Sequence, residues 1–251
     1  MKEGFSVSND FPKGNKNPLL IVDDVYKAYG PTSVLRGLSL QVMPGEVVGL
    51  LGANGSGKTT LLRLIAALGM PDRGRITIAG HDTASQADAV RQRVSVLFHQ
   101  THLYEDLTAE ENLRFWSLMR GQTLGADALA ATLARLGLTP SQHQRVRRLS
   151  HGTKKRLALA RVMLQPAPLL LLDEPYSGLD MQAAAVHDEF LVAHRDQGGS
   201  VLLVSHHLAA LHQSCDRLAV LAGGRIALTV AAGEISLPHL QAAVLAVSVE
   251  E

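Results

Sequence analysis

An α/β fold with a helical insertion is what this sequence predicts, and three observations carry it. Apolar, strand-like runs broken by turns fill residues 19–80. A helical pattern then occupies the stretch from Thr108 to about Leu164. Strand runs return at residues 169–172, 201–204 and 218–221. Strand and helix signals that alternate in this way indicate a sheet with helices packed on it.

The elements follow in chain order. Leu19-Leu20-Ile21-Val22 opens the first strand, and Leu38-Ser39-Leu40-Gln41-Val42 alternates as a half-buried strand should. Within the run from Glu46 to Leu51, Val47-Val48-Gly49-Leu50-Leu51 is continuously apolar, the pattern of a parallel strand covered on both faces. A helix follows with Leu61, Leu62, Leu64 and Ile65 on its buried side, then a strand at Arg75-Ile76-Thr77-Ile78. Thr108 and Glu111 have the spacing of a capping box, which satisfies two orphan N–H groups at a helix start. Leu129, Leu133 and Leu136 continue the helical spacing, and Gln165-Pro166 ends it.

Composition excludes several classes. The chain has 251 residues, 46% hydrophobic and 19% charged, with a formal net charge of +1. That balance speaks against a general nucleic-acid binder, and the Arg145, Arg147 and Arg148 cluster reads as a solvated face. No stretch reaches the roughly 20 apolar residues that span a bilayer. The apolar tail from Ile226 to Val249 is interrupted by Gly233, Glu234 and Pro238. The lone Cys215 rules out an intrachain disulfide and reads as packing in a reducing compartment. Residues 1–17 lack a secretory apolar core and read as a flexible leader.

Two motifs carry chemistry. Gly52-Ala53-Asn54-Gly55-Ser56-Gly57-Lys58-Thr59, with Thr60 following, fits G-x-x-x-x-G-K-[ST] between an apolar strand and a helix. Its glycines let backbone N–H groups turn toward phosphate oxygens, and the helix N-terminus adds positive partial charge. Lys58 is expected to reach the β- and γ-phosphates of a nucleotide, and the Thr59 hydroxyl to hold Mg²⁺. The run Leu169-Leu170-Leu171-Leu172-Asp173-Glu174 then delivers carboxylates from a buried strand end. Asp173 is expected to complete the Mg²⁺ shell and Glu174 to orient the attacking water.

Leu149-Ser150-His151-Gly152, Ser177-Gly178-Leu179-Asp180 and His206, in this order after the phosphate loop, make the chain resemble the ABC ATPase family from about Pro18 to Gly224. The resemblance implies a P-loop NTPase (RecA-like) core with an antiparallel β subdomain and an inserted helical subdomain at about residues 100–165. The nucleotide-binding domain would span residues 18–227, and residues 228–251 would form a tail. It implies ATP and Mg²⁺ as ligands, and assigns Tyr29, rather than Tyr26, to adenine stacking. Ser150 and Gly152 would bind the γ-phosphate of ATP held by a second copy. Asp180 would link the two sites, and His206 would contact the γ-phosphate.

Two departures stand out. The signature usually ends in Gly-Gln, whereas this chain reads Gly152-Thr153. Aligning Leu103-Tyr104-x-x-Leu107 puts His99 where many relatives carry glutamine, with Gln100 one place later. Both stay candidates for the glutamine-loop role. A glutamine carbonyl suits a hard cation better than a neutral imidazole does, and Gln100 is preferred because a flexible loop can absorb a one-residue shift. A zinc site built from His99 and His102, or from His206, His207 and His212, is discounted, since no cysteine joins them.

By resemblance, the expected function is ATP hydrolysis on the cytoplasmic face of a membrane. The partners would be integral-membrane permease subunits and a second nucleotide-binding subunit, with no nucleic acid. The segment from His99 to Phe115 resembles the haem-exporter ATPases of cytochrome c maturation, and close variants occur in drug exporters. The absence of a long regulatory domain after Gly224 fits an exporter better than a sugar importer. The rival readings are a multidrug exporter ATPase, a soluble ABC ATPase of translation or DNA repair, a small-molecule kinase, and a non-catalytic ATP-binding subunit.

Overall fold

The computed structural model describes residues 17–206 and 208–249. Most of the expected leader, and His207, lie outside the described residues. The chain divides into two compact units, one containing residues 97–166 and 175–194, the other the rest of the described chain.

The larger unit holds two sheets. The first is antiparallel in the order β2-β1-β4-β5, formed by β1 (Leu20–Tyr29), β2 (Thr32–Val42), β4 (Arg73–Ile78) and β5 (His81–Asp82). The expected alternation holds, since Leu38, Leu40 and Val42 are buried while Ser39 and Gln41 are exposed. The first strand runs further than its apolar start, to Tyr29. Asp24 at φ 46° marks a register shift that carries pairing through the polar residues.

The second sheet has the order β10-β9-β3-β8-β7-β6. Its centre is parallel: β9 (Arg217–Ala222), β3 (Val47–Leu51), β8 (Ser200–Val204) and β7 (Leu169–Asp173). Every residue of β3, β7 and β8 is buried, as their unbroken apolar runs require. β6 (Val94–Leu97) and the antiparallel β10 (Arg225–Ala231) close the edges. Helices α1 (Lys58–Ile65), α2 (Ala87–Gln92), α7 (Leu208–Ser214) and α8 (Leu237–Val249) complete this unit. Leu61, Leu62, Leu64 and Ile65 of α1 are buried as expected. Cys215 is buried too, and burial raises its thiol pKa to about 12. Its sulfur lies against Gly49, where an added Cβ would come within 2.9 Å.

The smaller unit is helical: α3 (Ala109–Met119), α4 (Ala126–Arg135), α5 (His151–Leu164) and most of α6 (Met181–Asp196). The capping box at α3 forms in both directions. Thr108 Oγ1 accepts the Glu111 N–H at 3.2 Å, and the Thr108 N–H donates to Glu111 at 2.7 Å. Leu129, Leu133 and Leu136 pack inside. No described helix is long and apolar enough to cross a membrane.

Candidate functional site

The loop between β3 and α1 is built by glycine. Gly55 and Gly57 sit at φ 87° and 106°, and a Cβ on Gly57 would also come within 2.9 Å of Leu35. Gly57 caps α1 without a side-chain hydrogen bond, so the first N–H groups of the helix remain for a ligand. The Lys58 Nζ donates to the Gly52 and Ala53 carbonyls, both at 2.7 Å. Burial lowers the Lys58 pKa, while the carboxylates of Glu174 and Asp173 pull it back up. Ser56 Oγ is buried with no partner among the described residues, an orphan that a phosphate oxygen would satisfy.

The strand β7 brings carboxylates to this loop. Thr59 Oγ1 donates to Asp173 Oδ2 at 3.1 Å, so two hard oxygen donors lie side by side, and Asp173 is buried. This donor set fits Mg²⁺. Glu174 follows in the left-handed region, at φ 50°. Its Oε1 accepts the His206 backbone N–H at 2.8 Å and lies 2.8 Å from His206 Nδ1. Its Oε2 accepts the Ser205 hydroxyl at 3.1 Å. Tyr29, more than half exposed at the end of β1, has the Lys27 ammonium 5.6 Å from its ring centroid. Asp72 anchors that end by accepting from Lys27 Nζ and the Ala28 N–H.

Thus Tyr29, Gly52, Asn54, Gly55, Ser56, Gly57, Lys58, Thr59, Thr60, Asp173, Glu174 and His206 belong to the larger unit. Ser150, Gly152, Asp180 and Gln100 belong to the helical one. There, Ser150 caps α5 by accepting the Thr153 N–H at 3.2 Å. The Asp180 carboxylate caps α6 through the Ala183 N–H and pairs with Arg156 at 3.0 Å. In the glutamine loop, His102 Nδ1 lies 2.8 Å from the Gln100 carbonyl. The ammonium of Lys155, buried in α5, donates to the His99 carbonyl at 2.6 Å.

Several of these partners escaped the sequence reading. Ser205 ends an apolar strand and reads as an ordinary turn residue. Lys155 looks like one more surface charge between Lys154 and Arg156. Tyr176, two residues beyond Glu174, bonds Asp188 at 2.7 Å and packs edge-on against His187.

Comparison with known proteins accords with this geometry. Residues 35–177 match the family described as ABC transporter. The chain is 38% identical over 204 residues to the Nod factor export ATP-binding protein I of Rhizobium etli, covering 80% of this chain and 65% of that protein. To the cytochrome c biogenesis ATP-binding export protein CcmA of Vibrio cholerae it is 39% identical over 173 residues, covering 69% of this chain and 84% of that one. A solved structure of an ATP-binding subunit of an ABC transporter superposes with a TM-score of 0.83 at 29% identity, covering 90% of this chain and 99% of the other. The expected α/β P-loop fold is borne out, and the chain belongs to the ABC transporter family as an ATP-binding domain.

Proposed function

We propose that this chain hydrolyses ATP as one half of a head-to-tail dimer that drives export through membrane permease subunits. The observation that carries this reading is the placement of Lys58, Thr59, Asp173, Glu174 and His206 around one glycine-built loop. Lys58 and the α1 N-terminus bind the triphosphate, and Tyr29 offers an exposed ring for adenine. Thr59 and Asp173 would hold Mg²⁺. When bound, the ion supplies positive charge to the phosphate oxygens.

Glu174 is the general base. Oε1 accepts the His206 N–H and faces the His206 Nδ1, whereas Oε2 has, among the described residues, the Ser205 hydroxyl and keeps a lone pair for water. On the helical unit, Ser150 is exposed and Met181, beside Asp180, is 91% exposed. There Ser150 and Gly152 would meet the γ-phosphate held by the partner. Opening and closing would pass to the permease through the glutamine loop and the helical unit, at the cytoplasmic face. The domain carrying this work would be residues 18–227, with 228–251 as a tail.

Purified chain should hydrolyse ATP, and Glu174→Gln should keep ATP binding while losing hydrolysis. Failure to bind ATP, or an active Glu174→Gln, would overturn the reading. For cargo, we propose haem, supported by the likeness to CcmA over most of that protein's length. Deleting the gene should then block cytochrome c maturation. Normal cytochromes with lost drug or lipid efflux would point to another cargo.

A further inference from the structure

The hydroxyl of Thr153 makes a contact that its position on α5 does not require. Ser150 Oγ already accepts the Thr153 backbone N–H, which is all that capping the helix needs. Thr153 Oγ1 nevertheless lies 2.8 Å from Ser150 Oγ. The Arg156 Nη2 donates to Thr153 Oγ1 at 3.4 Å, and Nη1 of the same guanidinium pairs with Asp180 Oδ2 at 3.0 Å. Four side chains therefore form one polar chain: Asp180, Arg156, Thr153, Ser150.

Either hydroxyl could donate in the middle link, and the charge of Arg156 biases the choice. A guanidinium only donates, so it occupies a lone pair of Thr153 Oγ1 and polarises that hydroxyl. A polarised Thr153 hydroxyl is the better donor of the two, and in that order the Ser150 oxygen accepts twice, from the Thr153 N–H and from the Thr153 O–H. The Ser150 proton is left for the exposed side, where it suits an anionic acceptor. In the opposite order, Ser150 would present only lone pairs there and repel a phosphate.

We infer that Thr153 is a positioning residue that sets the Ser150 hydroxyl as a donor to the triphosphate of a nucleotide held by a second copy of this chain. Asp180 holds the guanidinium in place from the other end. This rests on the shared-site reading above.

The test compares steady-state ATP hydrolysis by wild type, Thr153→Val, Thr153→Ser and Ser150→Ala. Valine keeps the shape and the backbone cap and removes the hydroxyl. The half-saturating ATP concentration of Thr153→Val should rise about tenfold, the scale of one hydrogen bond to a charged group. Its kcat should stay within about twofold, the pattern of lost binding rather than lost chemistry. Thr153→Ser should restore the wild-type value. A Thr153→Val enzyme that matches wild type while Ser150→Ala is impaired overturns the inference alone. An unimpaired Ser150→Ala overturns the shared-site reading beneath it. Should Thr153→Val fail to fold by circular dichroism, the pair Thr153→Ala and Thr153→Ser supplies the same comparison, and equal half-saturation for the two overturns the inference.

Discussion

Glu174 and His206 are joined twice. One carboxylate oxygen of Glu174 accepts the His206 backbone N–H and also lies 2.8 Å from the His206 ring nitrogen Nδ1. On the proposed role of Glu174 as base, this pairing occupies Oε1 and leaves Oε2 to take the water. His206→Ala keeps the backbone bond and loses the ring contact. Hydrolysis should fall by about ten- to a hundredfold through misplacement of the base, with ATP affinity changed much less. Single-turnover hydrolysis alongside equilibrium ATP binding checks this.

Glu174→Gln removes the proton acceptor and keeps the side-chain shape. Its hydrolysis rate should drop at least about a hundredfold, the usual contribution of a general base. ATP binding, followed with a fluorescent analogue, should be preserved.

Lys58 is held by two carbonyls of its own loop, so its ammonium waits in place for phosphate. Lys58→Ala should weaken ATP binding by about tenfold or more, measured by calorimetry. The thermal midpoint without nucleotide should change little, because burial of the charge opposes what its hydrogen bonds contribute.

The buried Cys215 gives a pH test. Its thiol is raised to about 12, so the folded form stays protonated where an unfolded thiol ionises. The raised value means that this stability is complete below the unfolded pKa, near 9, and is lost as pH climbs from there toward 12. Native protein at pH 8 should therefore react slowly with a thiolate-trapping disulfide reagent. Denatured protein should react at once.

The cap of α3 is a local stability test. Thr108→Ala removes the side-chain half of a two-way capping box and should cost about 1 kcal/mol. In a chain of this size that is a fall of roughly 2–4 °C in Tm. Differential scanning calorimetry reads it directly.

What the sequence made legible was set by periodicity. The strands β3, β7 and β8 are buried on both faces, and unbroken apolar runs announce that state directly. The edge strand β6 holds four residues, too few to show a period, and β10 alternates Ile226, Leu228 and Val230 with exposed Arg225, Ala227 and Thr229 but merges into the apolar tail that starts at Ile226. On α6, buried His187 and His194 interrupt the apolar Ala183, Phe190 and Leu191, so the helix shows only a broken stripe. The phosphate loop and the Asp173-Glu174 pair were visible because each depends on residue type at a fixed spacing. The left-handed turn at Glu174 was not, since no residue type there requires it. The link from Arg156 to Asp180 depends on where side chains meet across the fold, which spacing does not encode.

The central claim is that ATP joins two copies of this chain through Lys58 on one and Ser150 on the other. Sedimentation velocity on Glu174→Gln with Mg²⁺, in ATP and then in ADP, tests it most directly. The account predicts a dimer in ATP that reverts to monomer in ADP and is lost on adding Ser150→Ala. A chain that binds ATP and sediments as a monomer in both nucleotides would contradict it.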